Sequence, residues 1–291
     1  MQMIPVVNRQ PGKLWKFLQF PLTRFVLAVC VIVLCVAVLQ VSAKLLGIHP
    51  HTPSWAAVGF VIAAAVLASY SAYVRVIEKR AVIELDRADA LKGLGLGALV
   101  GAILFCTTML IMWCSGAWVY TGMHAWSEII YPLAGALVAA VLEETLIRGV
   151  LFRILEESLG SWIALALSAL IFGLLHAFNP GASLVSTAAI ALEAGILLAA
   201  AYMYARTLWF VIGLHFAWNF TEGGIFATSV SGGKVEGLIG VQFSGGDMLT
   251  GGKFGPEASL VAVLVCLAAG IGFILLARRK GLVVPAFWQR S

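Results

Sequence analysis

Apolar residues run through this chain in blocks of roughly 16 to 23, long enough to span a bilayer, and the short stretches between blocks collect most of the charges. The blocks fall at 24–45, 54–74, 95–117, 129–150, 161–178, 183–205, 207–222 and 257–277. Each is about the length needed to cross some 30 Å of hydrocarbon as a helix. Lipid offers the backbone no hydrogen-bond partner, so a spanning segment must satisfy its own N–H and C=O groups. The pattern therefore predicts an all-α polytopic membrane protein of about eight transmembrane helices.

Composition strengthens this picture. Hydrophobic residues make up 61% and charged residues 11% of the chain, and the mean hydropathy is +0.98, far from soluble globular proteins. Charge adds an orientation. With the amino terminus inside, all of the 19 lysines and arginines except Lys44, Lys234 and Lys253 fall on the cytoplasmic side, as the positive-inside rule requires. Both termini are then cytoplasmic. Trp55, Trp118, Trp126, Trp162 and Trp209 lie near span ends, where aromatic belts form. The net charge of +5 reports this topology and attraction to anionic lipid, so no nucleic acid is expected as a partner. A cleavable signal peptide is the competing reading of the first span, since Val41-Ser42-Ala43 resembles a cleavage site. The apolar run from Phe25 to Ala43 exceeds the usual 7 to 15 or so residues, which favours a retained helix. Cys30, Cys35, Cys106, Cys114 and Cys266 lie in apolar spans without a CxxC pair and read as small buried hydrophobes. Short loops and the lack of organelle signals point to a bacterial inner membrane.

The charges and glycines divide the chain further. Residues 1–23 mix bases with Trp15, Phe17 and Phe20 and read as an amphipathic cytoplasmic segment. Residues 24–128 hold three spans joined by a charged stretch at 75–92, expected to be a solvated cytoplasmic connector. Residues 129–222 form a core containing the fourth to seventh spans. Residues 223–256 are a Gly-rich outer loop, of the length that makes a lid, a binding loop or a disordered segment. Its GGK and SGGD lack the lysine-serine ending of a phosphate loop, so no nucleotide is expected. The last span and a basic tail occupy 257–291, and no inverted repeat is visible.

Ionisable groups inside spans are costly, about 2.5 to 3.5 kcal/mol at a helix centre, and usually mark function. Here they are Glu143, Glu144, Arg148, His176, Glu193, His215 and, at a span end, Glu222. Glu144 and Arg148 are i and i+4 and can pair on one helix face. Glu143 lies about 100° round the helix with only Ala139 and Ile147 one turn away, so its carboxylate is free for other work. Phe172 and His176 share one face of the fifth span, His215 and Asn219 one face of the seventh. Each histidine alone is more often structural; together with a free carboxylate and an amide they supply the base, proton carrier and oxyanion donors that amide hydrolysis needs. Glu193 could line the same cavity or make a structural hydrogen bond. Glu222 reads as either a group at the mouth of the site or the end of the span.

EETLIR, FGLLH and HFAWN, in that order, fit EExxxR, FxxxH and HxxxN. The region from about 130 to 222, including the NPG after His176, resembles the CPBP family of intramembrane proteases, the CAAX prenyl protease and bacteriocin-processing group also called ABI. The resemblance implies that Glu143 polarises a water with His176, that His215 and Asn219 steady the oxyanion, and that Glu144, Arg148 and Phe172 support them. The site would be enclosed between helices four, five and seven. In the family's metalloprotease account Glu143, His176 and His215 are enough for a three-ligand zinc. The i, i+4 pair is His and Asn, not the His and His of HExxH, so the reading leans to water activated directly by glutamate and histidine. The substrate class implied is a membrane-associated peptide or protein. The competing function is a non-catalytic transporter or an immunity or scaffold protein using the same charges for binding. One conflict stands: simple topology puts Glu143 in the inner half of the bilayer and His176 near the outer face, on the order of 10 Å apart. The catalytic reading therefore requires a fourth helix that continues past Arg153.

Overall fold

The computed structural model describes residues 12–49 and 52–289, so Arg9, Arg290 and residues 1–11 of the amino-terminal segment lie outside the described residues. The elements in chain order are α1 (Lys13–Leu18), α2 (Pro21–Leu45), α3 (Pro53–Tyr73), α4 (Ala90–Cys114), β1 (Trp118–Met123), α5 (Ile130–Glu144), α6 (Arg153–Leu159), α7 (Ser161–His176), α8 (Leu184–Ile190), α9 (Ile196–Ala205), α10 (Leu208–Asn219), β2 (Ile239–Phe243), α11 (Asp247–Thr250) and α12 (Leu260–Arg279). Proline opens α2, at a position where its missing N–H costs nothing. Side-chain oxygens of Thr52, Ser183, Thr207 and Ser259 cap α3, α8, α10 and α12.

Among the described residues six helices are long and apolar enough to cross a membrane: Pro21–Leu45, Ser54–Glu78, Ile83–Cys114, Trp126–Leu159, Leu184–Ala205 and Leu260–Arg279. The chain is thus an all-α multi-pass membrane protein. The other two of the eight expected spans are α7 and α10, which are shorter. That shortness removes the conflict of depth. The fourth helix runs unbroken for 34 residues from Trp126 to Leu159, putting Glu143 at its middle. The 16 residues of α7 reach only about 24 Å, and its last residue, His176, comes to 3.9 Å from Glu143.

Packing is closest between α4 and α10. A Cβ at Gly97 would lie 2.0 Å from the Phe210 carbonyl oxygen, at Gly101 2.2 Å from that of Leu214, and at Gly213 2.4 Å from that of Leu94. Small residues let helix backbones meet where lipid supplies no hydrophobic force. The helix carrying His215 is thereby held in the bundle interior.

Several expectations need correction. The stretch 75–92 is mostly exposed, but it folds into short helical turns and buries two carboxylates, Glu78 and Glu84. Glu78 accepts from Arg24 (3.1 Å), Arg80 (2.8 Å) and Arg153 (2.7 Å), and Glu84 from Arg80 (2.7 Å) and the Tyr70 hydroxyl. Arg24 and Arg153 from remote helices and Arg80 from the same stretch pair with the carboxylates it buries. Cys30, Cys106 and Cys114 are exposed on the bundle exterior and only Cys266 is buried, because a lipid-facing position accepts a thiol as readily as the core does. Residues 118–123 pair antiparallel with 239–243, with an irregularity between Tyr120 and Gly122, as a small two-stranded sheet. The Gly-rich loop 223–256 is folded: Gly232 donates to Phe254 (2.7 Å) and the Asn179 amide to Ser231 (3.0 Å). At Gly232 φ is +80 and a Cβ would strike the Pro180 carbonyl, so glycine serves close approach there.

Candidate active site

Glu143 and Glu144 end α5, and the helix continues as a π-helical turn, Thr145–Phe152, which carries Arg148. Such turns recur at functional sites because their wider pitch re-aims side chains. Arg148 Nη1 donates to Glu144 Oε1 at 2.8 Å, and both side chains are fully buried. Its Nη2 donates to the carbonyls of Ala194 (3.4 Å) and Gly195 (3.2 Å), in a second π turn, Ala191–Gly195. The guanidinium carbon stands 4.7 Å from the centre of the Phe172 ring, a cation–π contact.

Both histidines are tethered by one ring nitrogen and offer the other. His176 Nδ1 is 2.8 Å from the Phe172 carbonyl, and His215 Nδ1 is 2.9 Å from Glu144 Oε1. A carbonyl and an ion-paired carboxylate only accept, so each Nδ1 carries a proton and each Nε2 is left facing the site. Both Nε2 atoms face the same Glu143 oxygen: Oε2 lies 3.9 Å from His176 and 4.0 Å from His215. That oxygen is buried and has no hydrogen-bond partner. Phe172 stands between the rings, 4.7 Å from His176 and 6.1 Å from His215, centre to centre.

The spacing of these donors bears on zinc. Tetrahedral zinc with bonds of about 2.0–2.1 Å holds its ligands roughly 3.4 Å apart. Glu143 Oε2 stands 3.9 and 4.0 Å from the two histidine nitrogens, wider than that spacing. Among the described residues no group of three His, Cys, Asp or Glu side chains is arranged to hold a metal ion.

Two cavities adjoin the cluster, and Phe172 and His176 line both. The first, about 140 Å³, is bounded by Glu143, Ile147, Leu175 and Asn179. The second, about 20 Å³, reaches His215, Trp218, Asn219, Glu193, Ser231 and Glu257. The structure thus gathers Glu143, Glu144, Arg148, Phe172, His176 and His215 by direct contact, and Asn219 as a wall of the second cavity. Glu193 lies in that wall too, accepting from the Cys266 thiol at 3.3 Å. Glu222 is fully buried in the π turn Phe220–Ile225, away from any mouth. Asn179, Ser231 and Glu257 were not anticipated. Asn179 follows His176 by three in sequence, a spacing that could have flagged it; no local pattern marks Ser231 or Glu257, which arrive from the outer loop.

Residues 124–221 match the family model described as Rce1-like type II CAAX prenyl endopeptidase. No curated protein and no solved structure matches the chain.

Proposed function

Because residues 124–221 match the Rce1-like family model, we propose that this chain is a CPBP/CAAX-type intramembrane endopeptidase hydrolysing a peptide bond in a membrane-associated peptide or protein. The observation that carries the reading is the unpartnered Glu143 oxygen shared by two histidine Nε2 atoms. Buried polar atoms are rarely left unpaired without a function.

In this mechanism a water held between Glu143 and His176 gives a proton to Glu143 as its oxygen attacks the scissile carbonyl. His215 and Asn219 face the developing oxyanion. The histidine stabilises it as an imidazolium, for which Glu144 on Nδ1 is the counter-charge, and the amide donates an N–H. Arg148 balances Glu144, and Phe172 fixes the rings. The distribution of lysine and arginine supports cytoplasmic termini, and the 140 Å³ cavity beside Glu143 is the proposed entry for the scissile segment.

The test is cleavage of a prenylated CAAX peptide and of a library of quenched membrane-associated peptides by purified protein. Glu143→Gln and His176→Ala are each expected to lower kcat by about 10²–10⁴-fold with unchanged melting temperature. Retained activity in either sinks the assignment. A non-catalytic binding protein would leave every peptide uncut by the wild type as well. Exhaustive chelation is expected to leave the rate unchanged; loss restored by zinc would overturn the metal-free mechanism.

A further inference from the structure

Beyond the three motifs lies a second polar constellation that the mechanism above does not use. Glu193, Glu222 and Glu257 are 1%, 0% and 3% exposed, and three different stretches of chain deliver them: the turn before α9, the turn after α10, and the short helical turn Pro256–Ala258 ahead of α12. Glu193 Oε2, Glu257 Oε1 and the Trp218 indole Nε1 are buried with no hydrogen-bond partner, and all three residues line the 20 Å³ cavity that touches His176, His215 and Asn219. That volume admits about one water, and a water requires two to four polar partners. Two orphan acceptors and an orphan donor around such a space meet the requirement.

The groups around Glu257 are Glu222 on the turn after α10, Glu193 on the turn before α9, Cys266 on α12, His176 on α7 and Ser231 in the outer loop. No lysine or arginine is among them. Glu222 and Glu257 are both buried, and Glu222 Oε1 and Oε2, like Glu257 Oε1, have no hydrogen-bond partner, so burial favours the protonated acid over the carboxylate. Burial pushes the Glu257 carboxyl above its ordinary range, against the opposing pull of His176 and Ser231. A neutral acid lining the same chamber as His176 and His215 is a proton source.

We propose that Glu257 delivers, through the chamber behind His176, the proton that the leaving amine takes up. The step rests on Glu143 acting as the base. Glu143 removes one proton from the attacking water, whose oxygen bonds to the carbonyl carbon. The C–N bond then breaks with its electron pair on nitrogen, which takes a proton from the chamber water as that water takes one from Glu257. The proton on Glu143 afterwards returns to Glu257, and the balance is one water consumed, one carboxylic acid and one amine formed. Since Glu257 acts through a water, it is a proton-delivery residue, and Glu193 and Trp218 position that water.

The test compares a cleaved peptide with its aryl ester analogue, whose phenolate leaves without a proton. Glu257→Gln is expected to slow the peptide about 10²-fold in kcat with KM unchanged, and to cut the aryl ester at the wild-type rate. Glu143→Gln, as the control for the underlying mechanism, is expected to slow both by about 10²–10⁴-fold. Equal slowing of both substrates by Glu257→Gln, or no slowing, overturns the proposal while leaving the assignment of Glu143 intact. Should Glu257→Gln fail to fold, Glu257→Asp keeps the acid one methylene shorter. It is expected to slow the peptide more than the ester, and equal effects on the two substrates again overturn the proposal.

Discussion

At the scale of single residues, Glu144 has two partners where its spacing showed one. The i, i+4 relation to Arg148 was visible because helix geometry alone sets it. The bond to His215 Nδ1, across 71 positions, was not, because nothing local relates the two helices. The two partners separate in experiment. Glu144→Leu or Arg148→Met alone leaves an uncompensated buried charge and is expected to cost about 3–5 kcal/mol in stability, read from denaturant or thermal unfolding in detergent. The double variant is expected to recover most of that loss and to remain inactive, because His215 still lacks its acceptor. Recovery of activity with stability would show that Glu144 only neutralises Arg148.

At the scale of elements, the site depends on how closely α4 and α10 approach. Gly93, Gly97 and Gly101 recur every four residues in α4, a spacing that marks a small-residue packing face within an otherwise plain hydrophobic span. Gly97→Val is expected to abolish the folded protein, since its Cβ would meet the Phe210 carbonyl at 2.0 Å. Gly95, with nothing within 4 Å of its Cβ position, provides the contrast: Gly95→Ala is expected to be neutral or to stabilise by up to about 1 kcal/mol through helix propensity. Equal effects, by thermal melting and yield of monodisperse protein, would show that this interface does not set the position of α10. The π turns behaved differently. Their existence is decided by what fills the widened turn, as Arg148 does at Ala194 and Gly195, and no residue pattern announces that.

At the scale of the whole molecule, the largely buried ion cluster of Arg24, Glu78, Arg80, Glu84 and Arg153 ties the first spans to the helix that carries Glu143. Arg153 Nε and the Tyr70 hydroxyl both donate to the Gly149 carbonyl at 2.9 Å, in the π turn that holds Arg148. Arg153→Met is expected to lower stability by about 3 kcal/mol or more and kcat with it. Added salt is expected to change the wild type little, since buried pairs are weakly screened; a steep salt dependence of the melting temperature would contradict the burial. Sequence by itself determined that the chain is helical and spans a membrane, because backbone groups in lipid allow little else, and it determined which side chains are chemically odd, because charges are scarce in oil. It also determined which oddities share a helix face, since 3.6 residues per turn is a local rule. Only the tertiary structure decided the depth at which Glu143 meets His176, the second role of Glu144, and the arrival of Glu257 beside the site. Those depend on where helices stop, cross and fold back, and such distances arise from packing between segments that are remote in sequence.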